Sequence, residues 1–281
     1  MFSLFENIAA QTSKKVTQAY STSFSLGIKT LDPRFHEPIY GIYAFVRFAD
    51  EIVDTFHQYN KKELLERFKR DTYLAIEEKI SLNPVLHSFQ KVVNQYQIPL
   101  DLVEAFFKSM EMDLTKTAYG REGYNEYIYG SAEVVGLMCL KVFAEGDDAL
   151  YDKLKMPARA LGAAFQKVNF LRDMKSDYDE RGRVYFPGID FENFQEEAKA
   201  QIEREIAEDF RIAYNGIMQL PKGAKSGVLL AYKYYMALFR KIQSSPAKKL
   251  KDTRIRVPDT HKFAVLLATI ARTRAEALLT N

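Results

Sequence analysis

The sequence predicts an all-α protein. Nearly every segment repeats its apolar residues at helical spacing, and no run alternates apolar and polar residues for long enough to make a strand. Asp32-Pro33, Asn83-Pro84, Gly146-Asp147, Gly182, Pro187-Gly188, Pro221 and Pro258 fall at or near the breaks between the periodic stretches. These patterns place helices over about 4–19, 34–55, 61–79, 84–95, 100–117, 124–144, 148–178, 192–219, 225–243 and 259–278.

The 281 residues can bury one sizeable core and nothing forces a second domain, so 1–281 reads as one all-α unit. Apolar residues make up 47% of the chain, which excludes a disordered one. With 40 Lys and Arg against 37 Asp and Glu, no electrostatic case for nucleic acid arises. The single cysteine, Cys139, has no partner for an intramolecular disulfide and reads as a small core residue, so a reducing, cytoplasmic setting is expected. The first residues, MFSLFENIAAQTSKK, carry Glu6 and no apolar run of secretory type. No stretch reads as the ~20 consecutive apolar residues of a membrane span.

In chain order, helix 4–19 leads to YSTSFS, a hydroxyl cluster at a turn. Its hydroxyls and backbone N–H groups either cap the next element or hold a phosphate. Helix 34–55 contains GIYAFVRFADEIVDT. With Tyr43 at zero and about 100° per residue, Arg47 lies at about +40°, Asp50 at about −20° and Asp54 at about +20°. Apolar residues cover nearly every other direction, the reverse of a surface helix, so this polar edge is expected to face a cavity. Helix 61–79 is an ordinary outer helix. Helix 100–117 carries Asp113, either a third acidic contribution or a structural carboxylate. In helix 124–144, Tyr127 and Tyr129 accompany Gly130, Ser131, Ala132 and Gly136, small residues that either tighten packing or leave room for a long apolar ligand.

Helix 148–178 carries the second acidic row, in QKVNFLRDMKSDYDERGRVYFP. Measured from Gln166, Asp173, Asp177 and Asn169 sit at about −20°, +20° and −60°. Carboxylates at i and i+4 are ~5–6 Å apart and repel by roughly 3 kcal/mol at an effective dielectric of ~20. Two such pairs facing one cavity call for cations, and oxygen donors with room for water and phosphate suit Mg²⁺, with Mn²⁺ as a substitute. Flanking the break at Gly182, Arg181 and Arg183 are placed to grip diphosphate. Tyr232, Tyr234 and Tyr235 cluster in helix 225–243, where core packing explains most and Tyr234 is the one expected to reach the polar pocket. Lys248, Lys249, Lys251, Arg254 and Arg256 form either a solvated charge run or a weak attachment to anionic lipid. His36, His57, His87 and His261 have no metal-binding spacing.

The pairing of YAFVRFADEIVD with QKVNFLRDMKSDYDERGRVYFP resembles the squalene and phytoene synthases, from YSTSF through SMEMDL to RIRVPDTHKFAVLL. The resemblance implies an isoprenoid synthase helical bundle with a central cavity, joining two prenyl diphosphates head to head. Asp50, Asp54, Asn169, Asp173 and Asp177 would hold Mg²⁺, and Tyr20, Ser21, Thr22, Ser23, Tyr43, Arg47, Gln166, Arg172 and Tyr234 would contact substrate. Arg181, Arg183 and Tyr185 would form a flap. The RGRVYFP motif resembles bacterial phytoene synthases, so geranylgeranyl diphosphate is the expected substrate, farnesyl diphosphate the alternative, and no NADPH is expected. Peripheral contact with the inner face of the membrane, and no C-terminal anchor helix, are further expectations. Lys175 and Ser176 depart from the Gly and Glu of many relatives, but Lys175 lies opposite the acidic arc.

Overall fold

A computed structural model describes residues 2–255. They form α1 (Phe2–Tyr20), α2 (Thr22–Lys29), α3 (Pro33–Asp54), α4 (Lys61–Glu78), α5 (Pro84–Tyr96), α6 (Leu100–Thr115) and α7 (Arg121–Ile128). A π turn (Tyr129–Glu133) follows, then α8 (Val134–Ala144), α9 (Asp148–Arg181), α10 (Glu196–Ile217), α11 (Lys222–Gln243) and α12 (Ala247–Asp252). The only extended pairing among the described residues is a single bridge between Ala118 and Val184. The all-α reading holds; helix 259–278 lies outside the described residues.

Side chains fix the helix starts. Asp32, Asn60, Asn83 and Asp147 each accept a backbone N–H of the first turn, satisfying donors that have no intrahelical partner. Two short helices were not anticipated. Residues read as a turn begin α2, because the Ser21 hydroxyl caps it by accepting the Phe24 N–H. In α12, the Glu196 carboxylate accepts the Ala247 N–H and both Ala247 and Leu250 are buried.

Arg121–Ala144 is also long and apolar enough to cross a membrane by composition, which the sequence reading had not recognised. Most of that stretch is buried inside the bundle, and the π turn interrupts it. A Cβ on Gly130 would lie 2.4 Å from the Ala105 carbonyl on α6, and one on Gly162 would lie 2.5 Å from the Ala132 carbonyl. The small residues therefore serve close packing: the π turn is wedged between α6 and α9.

Two apolar clusters flank α3 and α9. Around α3, Phe45 stacks on Phe89 at 3.7 Å and touches Phe106 and Phe107, all fully buried. Around α9, Phe170 stacks on Tyr185 at 4.0 Å, and Phe210 and Phe239 pack nearby. Each long helix is thus anchored on one side, which leaves its acidic row directed elsewhere.

Because backbone and a buried Ser109 surround Gly130, replacement by Ala must displace a helix. Gly130→Ala is expected to cost about 1–3 kcal/mol, read as a lower midpoint in urea unfolding, whereas Gly120→Ala, where a Cβ meets nothing, should change stability little.

Candidate functional site

The polar edges of α3 and α9 are tied together at two levels. At the upper level, Arg183, just past the α9 C-cap Gly182, donates through Nη1 to Asp54 Oδ1 on α3 at 3.2 Å. Its backbone N–H donates to the Asp177 carbonyl at 2.9 Å. Lower down, the Tyr235 hydroxyl donates to Asn169 Oδ1 on α9 at 3.3 Å, and Tyr235 also acts electrostatically on Tyr43 of α3. Arg183 thus links Asp54 of the α3 row to the end of α9, and Tyr235 meets Asn169 of the α9 row.

Guanidinium groups already neutralise much of the acid. Arg172 Nε donates to both oxygens of Asp173 at 3.0 and 3.1 Å, and Arg254 Nε lies 2.7 Å from Asp173 Oδ1. Burial alone would lower the pKa of Arg172, but the charge and hydrogen bond of Asp173 outweigh it and raise it. Arg47 pairs with Glu51 and lies over the Tyr20 ring, its carbon 4.3 Å from the ring centre. Its Nε is buried with no acceptor among the described residues.

Each expected contact residue can now be placed. Tyr20 ends α1, Ser21 caps α2, and Thr22 and Ser23 open that helix. Tyr43 stacks on Phe24 at 5.0 Å. Gln166 lies on the Asn169–Asp173 edge of α9, and Arg181 closes that helix. Tyr185 is buried between the Tyr119 and Phe170 rings. Tyr234 differs from expectation: it is buried against Leu26 and Leu230, and its hydroxyl has no hydrogen-bond partner among the described residues. Its neighbour Tyr235, about 100° around the helix, is the tyrosine that meets Asn169 and stacks on Phe165 at 3.8 Å.

Sequence reasoning also missed Arg254, hidden in a run read as solvated or lipid-facing. Lys251 of the same run donates to the Glu192 carbonyl at 2.6 Å. Arg256 lies outside the described residues. An apolar recess lined by Phe170, Met174, Val184, Phe186, Ile189 and Phe191 adjoins Asp177 and Arg183. Of the histidines, His36 meets the Leu31 carbonyl, His57 meets Lys61, and His87 packs against Phe2 and Phe5. His261 lies outside the described residues.

Comparison with known proteins fits this geometry. The model of the squalene/phytoene synthase family matches residues 17–261, a span that includes both acidic rows. The chain belongs to the squalene/phytoene synthase family. Within that family it is 28% identical over 193 residues to the 15-cis-phytoene synthase of a Paracoccus strain, covering 65% of this chain and 60% of that protein. It is 28% identical over 216 residues to the 4,4'-diapophytoene synthase of Staphylococcus haemolyticus, covering 74% and 72%. With the 15-cis-phytoene synthase of Pantoea ananas it shares 24% identity over 88% of this chain and 86% of that one. The match takes in only half of the phytoene synthase of Cereibacter sphaeroides. A dehydrosqualene synthase crystal structure superposes with a TM-score of 0.81 at 21% identity, covering 96% of this chain and 98% of the other. A squalene synthase from Alicyclobacillus acidocaldarius gives 0.74 at 18% identity over 85% and 94%. This family's helical fold is thus the fold observed.

Whether a divalent ion suits these residues follows from the donors. The two rows offer carboxylate and amide oxygens only, which suits a hard cation. Among the described residues no three acidic, cysteine or histidine side chains gather tightly enough to cage an ion. Mg²⁺ does not need such a cage, since it commonly takes one or two carboxylates and fills its remaining positions with water and phosphate. The residues fit the group.

Burial pushes the Tyr43 phenol up to about 12; Arg47 opposes the shift and Asp50 adds to it. Folding therefore holds a proton that the unfolded chain releases near pH 10. Tyr43 costs no stability below pH 10, and it weakens the fold as pH rises from 10 towards 12. Tyr43→Phe should flatten that alkaline decline, measured as the unfolding midpoint at pH 9, 10 and 11 against the parent protein.

Proposed function

We propose that this chain condenses two prenyl diphosphates head to head, with geranylgeranyl diphosphate as substrate and phytoene as product. The observation that carries the reading is that Arg183 links Asp54 on α3 to the Asp177 end of α9 while Arg172 and Arg254 hold Asp173, which supports two acidic rows facing one space. Phosphate oxygens need cations and fork-shaped donors, and this arrangement supplies both.

Asp50, Asp54, Asn169, Asp173 and Asp177 would hold Mg²⁺, or Mn²⁺ in its place. When bound, the metal supplies Lewis-acid neutralisation of the charge that develops on a departing diphosphate. The arginines donate to the same oxygens, while Tyr20, Ser21, Thr22, Ser23 and Gln166 line the approach and Arg181 adjoins the flap. The allylic C–O bond breaks heterolytically and its electron pair leaves with diphosphate. The faces of Tyr43, Phe165, Phe170 and Tyr235 shield the resulting cation, since the negative face of an aromatic ring attracts positive charge. The double bond of the second substrate attacks, and loss of a proton gives a cyclopropylcarbinyl diphosphate. A second ionisation, rearrangement and proton loss give the conjugated triene. Two diphosphates and two protons leave, so the sequence needs no reductant.

Farnesyl diphosphate is the second reading for substrate, supported by the relative named 4,4'-diapophytoene synthase. The exposed Lys248 and Lys249 would provide peripheral contact with an anionic bilayer, into which so apolar a product partitions.

The test is mass identification of the product from purified protein and Mg²⁺ with each prenyl diphosphate, with and without NADPH. Phytoene from geranylgeranyl diphosphate alone is expected; product formed only when isopentenyl diphosphate is added would mean chain elongation instead. Asp50→Ala and Asp173→Ala should each lower turnover by roughly 10²–10³-fold, comparable to removing a preorganised electrostatic contact. Tyr235→Phe should lower it by about tenfold and Tyr234→Phe by less than about twofold, the difference expected from one lost hydrogen bond in the site. Unchanged turnover in both aspartate variants would dismiss the metal assignment.

A further inference from the structure

Asp113 lies in neither acidic row, yet it meets the same arginine as Asp54. Arg183 Nη1 lies 3.2 Å from Asp113 Oδ1, and Nη2 donates to the Asp113 carbonyl at 2.7 Å. The Tyr127 hydroxyl donates to Asp113 Oδ2 at 2.9 Å, and Arg183 Nη1 also donates to the Tyr185 hydroxyl at 3.2 Å. One guanidinium thus serves two carboxylates from two different helices.

The two carboxylates differ in what the bond costs to break. The Asp113 side chain is 4% exposed, against 27% for Asp54. A buried anion stripped of its cation is strongly disfavoured, while a partly hydrated one can exchange partners with water, ions or substrate. Burial alone would lower the pKa of Arg183, but Asp113 raises it first, followed by Tyr185 and then Asp54.

We propose that Asp113 is a positioning residue: the fixed anchor of Arg183, against which Asp54 is the exchangeable partner. The proposal rests on the reading of Asp54 as a metal ligand. When a divalent cation takes Asp54, Arg183 stays attached through Asp113 and keeps its freed N–H directed at the diphosphate. Without the Asp113 charge, Arg183 would turn wholly to Asp54 and compete with the cation.

The test is direct Mn²⁺ binding to the substrate-free protein, followed by the loss of free-ion electron paramagnetic resonance signal. Four proteins form a cycle: the parent, Asp113→Asn, Arg183→Gln and the double variant. Asp113→Asn should weaken Mn²⁺ binding by roughly fivefold, a typical coupling between linked sites. The same change on the Arg183→Gln background should have no effect, because the competitor is gone. Equal weakening on both backgrounds would mean that Asp113 acts through its own charge or through packing, and would overturn the proposal. Tyr127→Phe, which frees Asp113 Oδ2 without changing any charge, provides a second variant should Asp113→Asn fail to fold. Deprived of that donor, Asp113 holds Arg183 at least as firmly, so Mn²⁺ binding should be unchanged or tighter on the parent background, and weaker binding there would overturn the proposal. Asp54→Asn separates the two levels of inference: if it leaves Mn²⁺ binding unchanged, the metal assignment and the proposal fall together. If Asp54→Asn weakens binding while the cycle shows no coupling, only the proposal falls.

Discussion

Like charge held at close quarters is the constraint on which this structure depends. Asp50 and Asp54 are one turn apart on α3, and Asp173 and Asp177 one turn apart on α9. On the proposed reading the bundle brings these rows to one space, and a fold that did so without cations would be destabilised by the repulsion. Arginines drawn from three places in the chain relieve it: Arg172 from α9 itself, Arg183 from the segment past its C-cap, and Arg254 beyond α12. On the proposed function, each of these groups becomes a ready donor once a phosphate arrives. Stability and function ask for the same charges here.

Such an arrangement needs rigid walls, because a drift of an ångström would separate donor from acceptor. The bundle obtains them by close contact. Glycines let the π turn press against α6 and α9 at backbone distance, and the Phe45–Phe89 stack fixes α3 from behind. Packing of this density resists small displacements. The segment beyond Gly182 has no helix of its own, and its hold comes from Arg183 and from Tyr185 stacked on Phe170.

The acidic rows were legible in sequence because the relation between i and i+4 is local: a helix fixes it whatever the tertiary fold. That they face each other, as the proposed function requires, was suggested in sequence only by the unusual apolar cover around Asp50. Other features were hidden for equally physical reasons. A short capped helix and a hydroxyl-rich turn have the same composition, so α2 read as a turn. In the stretch Lys233–Met236 two adjacent tyrosines point about 100° apart, and choosing between them needs the position of α9. Arg254 sits among lysines and looks like part of a solvated run; only the return of the chain past α12 brings it to Asp173. Asp113 stands alone in sequence, and its partners Tyr127 and Arg183 are 14 and 70 residues away.

The two rows are not equivalently guarded. Asp54 meets a guanidinium that is 8% exposed and bound at four points, whereas the second arginine on Asp173, Arg254, is 49% exposed and makes that one contact among the described residues. Exposed ion pairs are worth little and open readily, while buried ones resist being broken by removal of one partner. Arg254 can therefore leave Asp173 at little cost, while Arg183 keeps its place through Asp113 when Asp54 exchanges its partner. An asymmetric site of this kind can admit charge from one edge while the opposite edge holds its shape, which suits a reaction in which two diphosphates must leave in turn from a single enclosure.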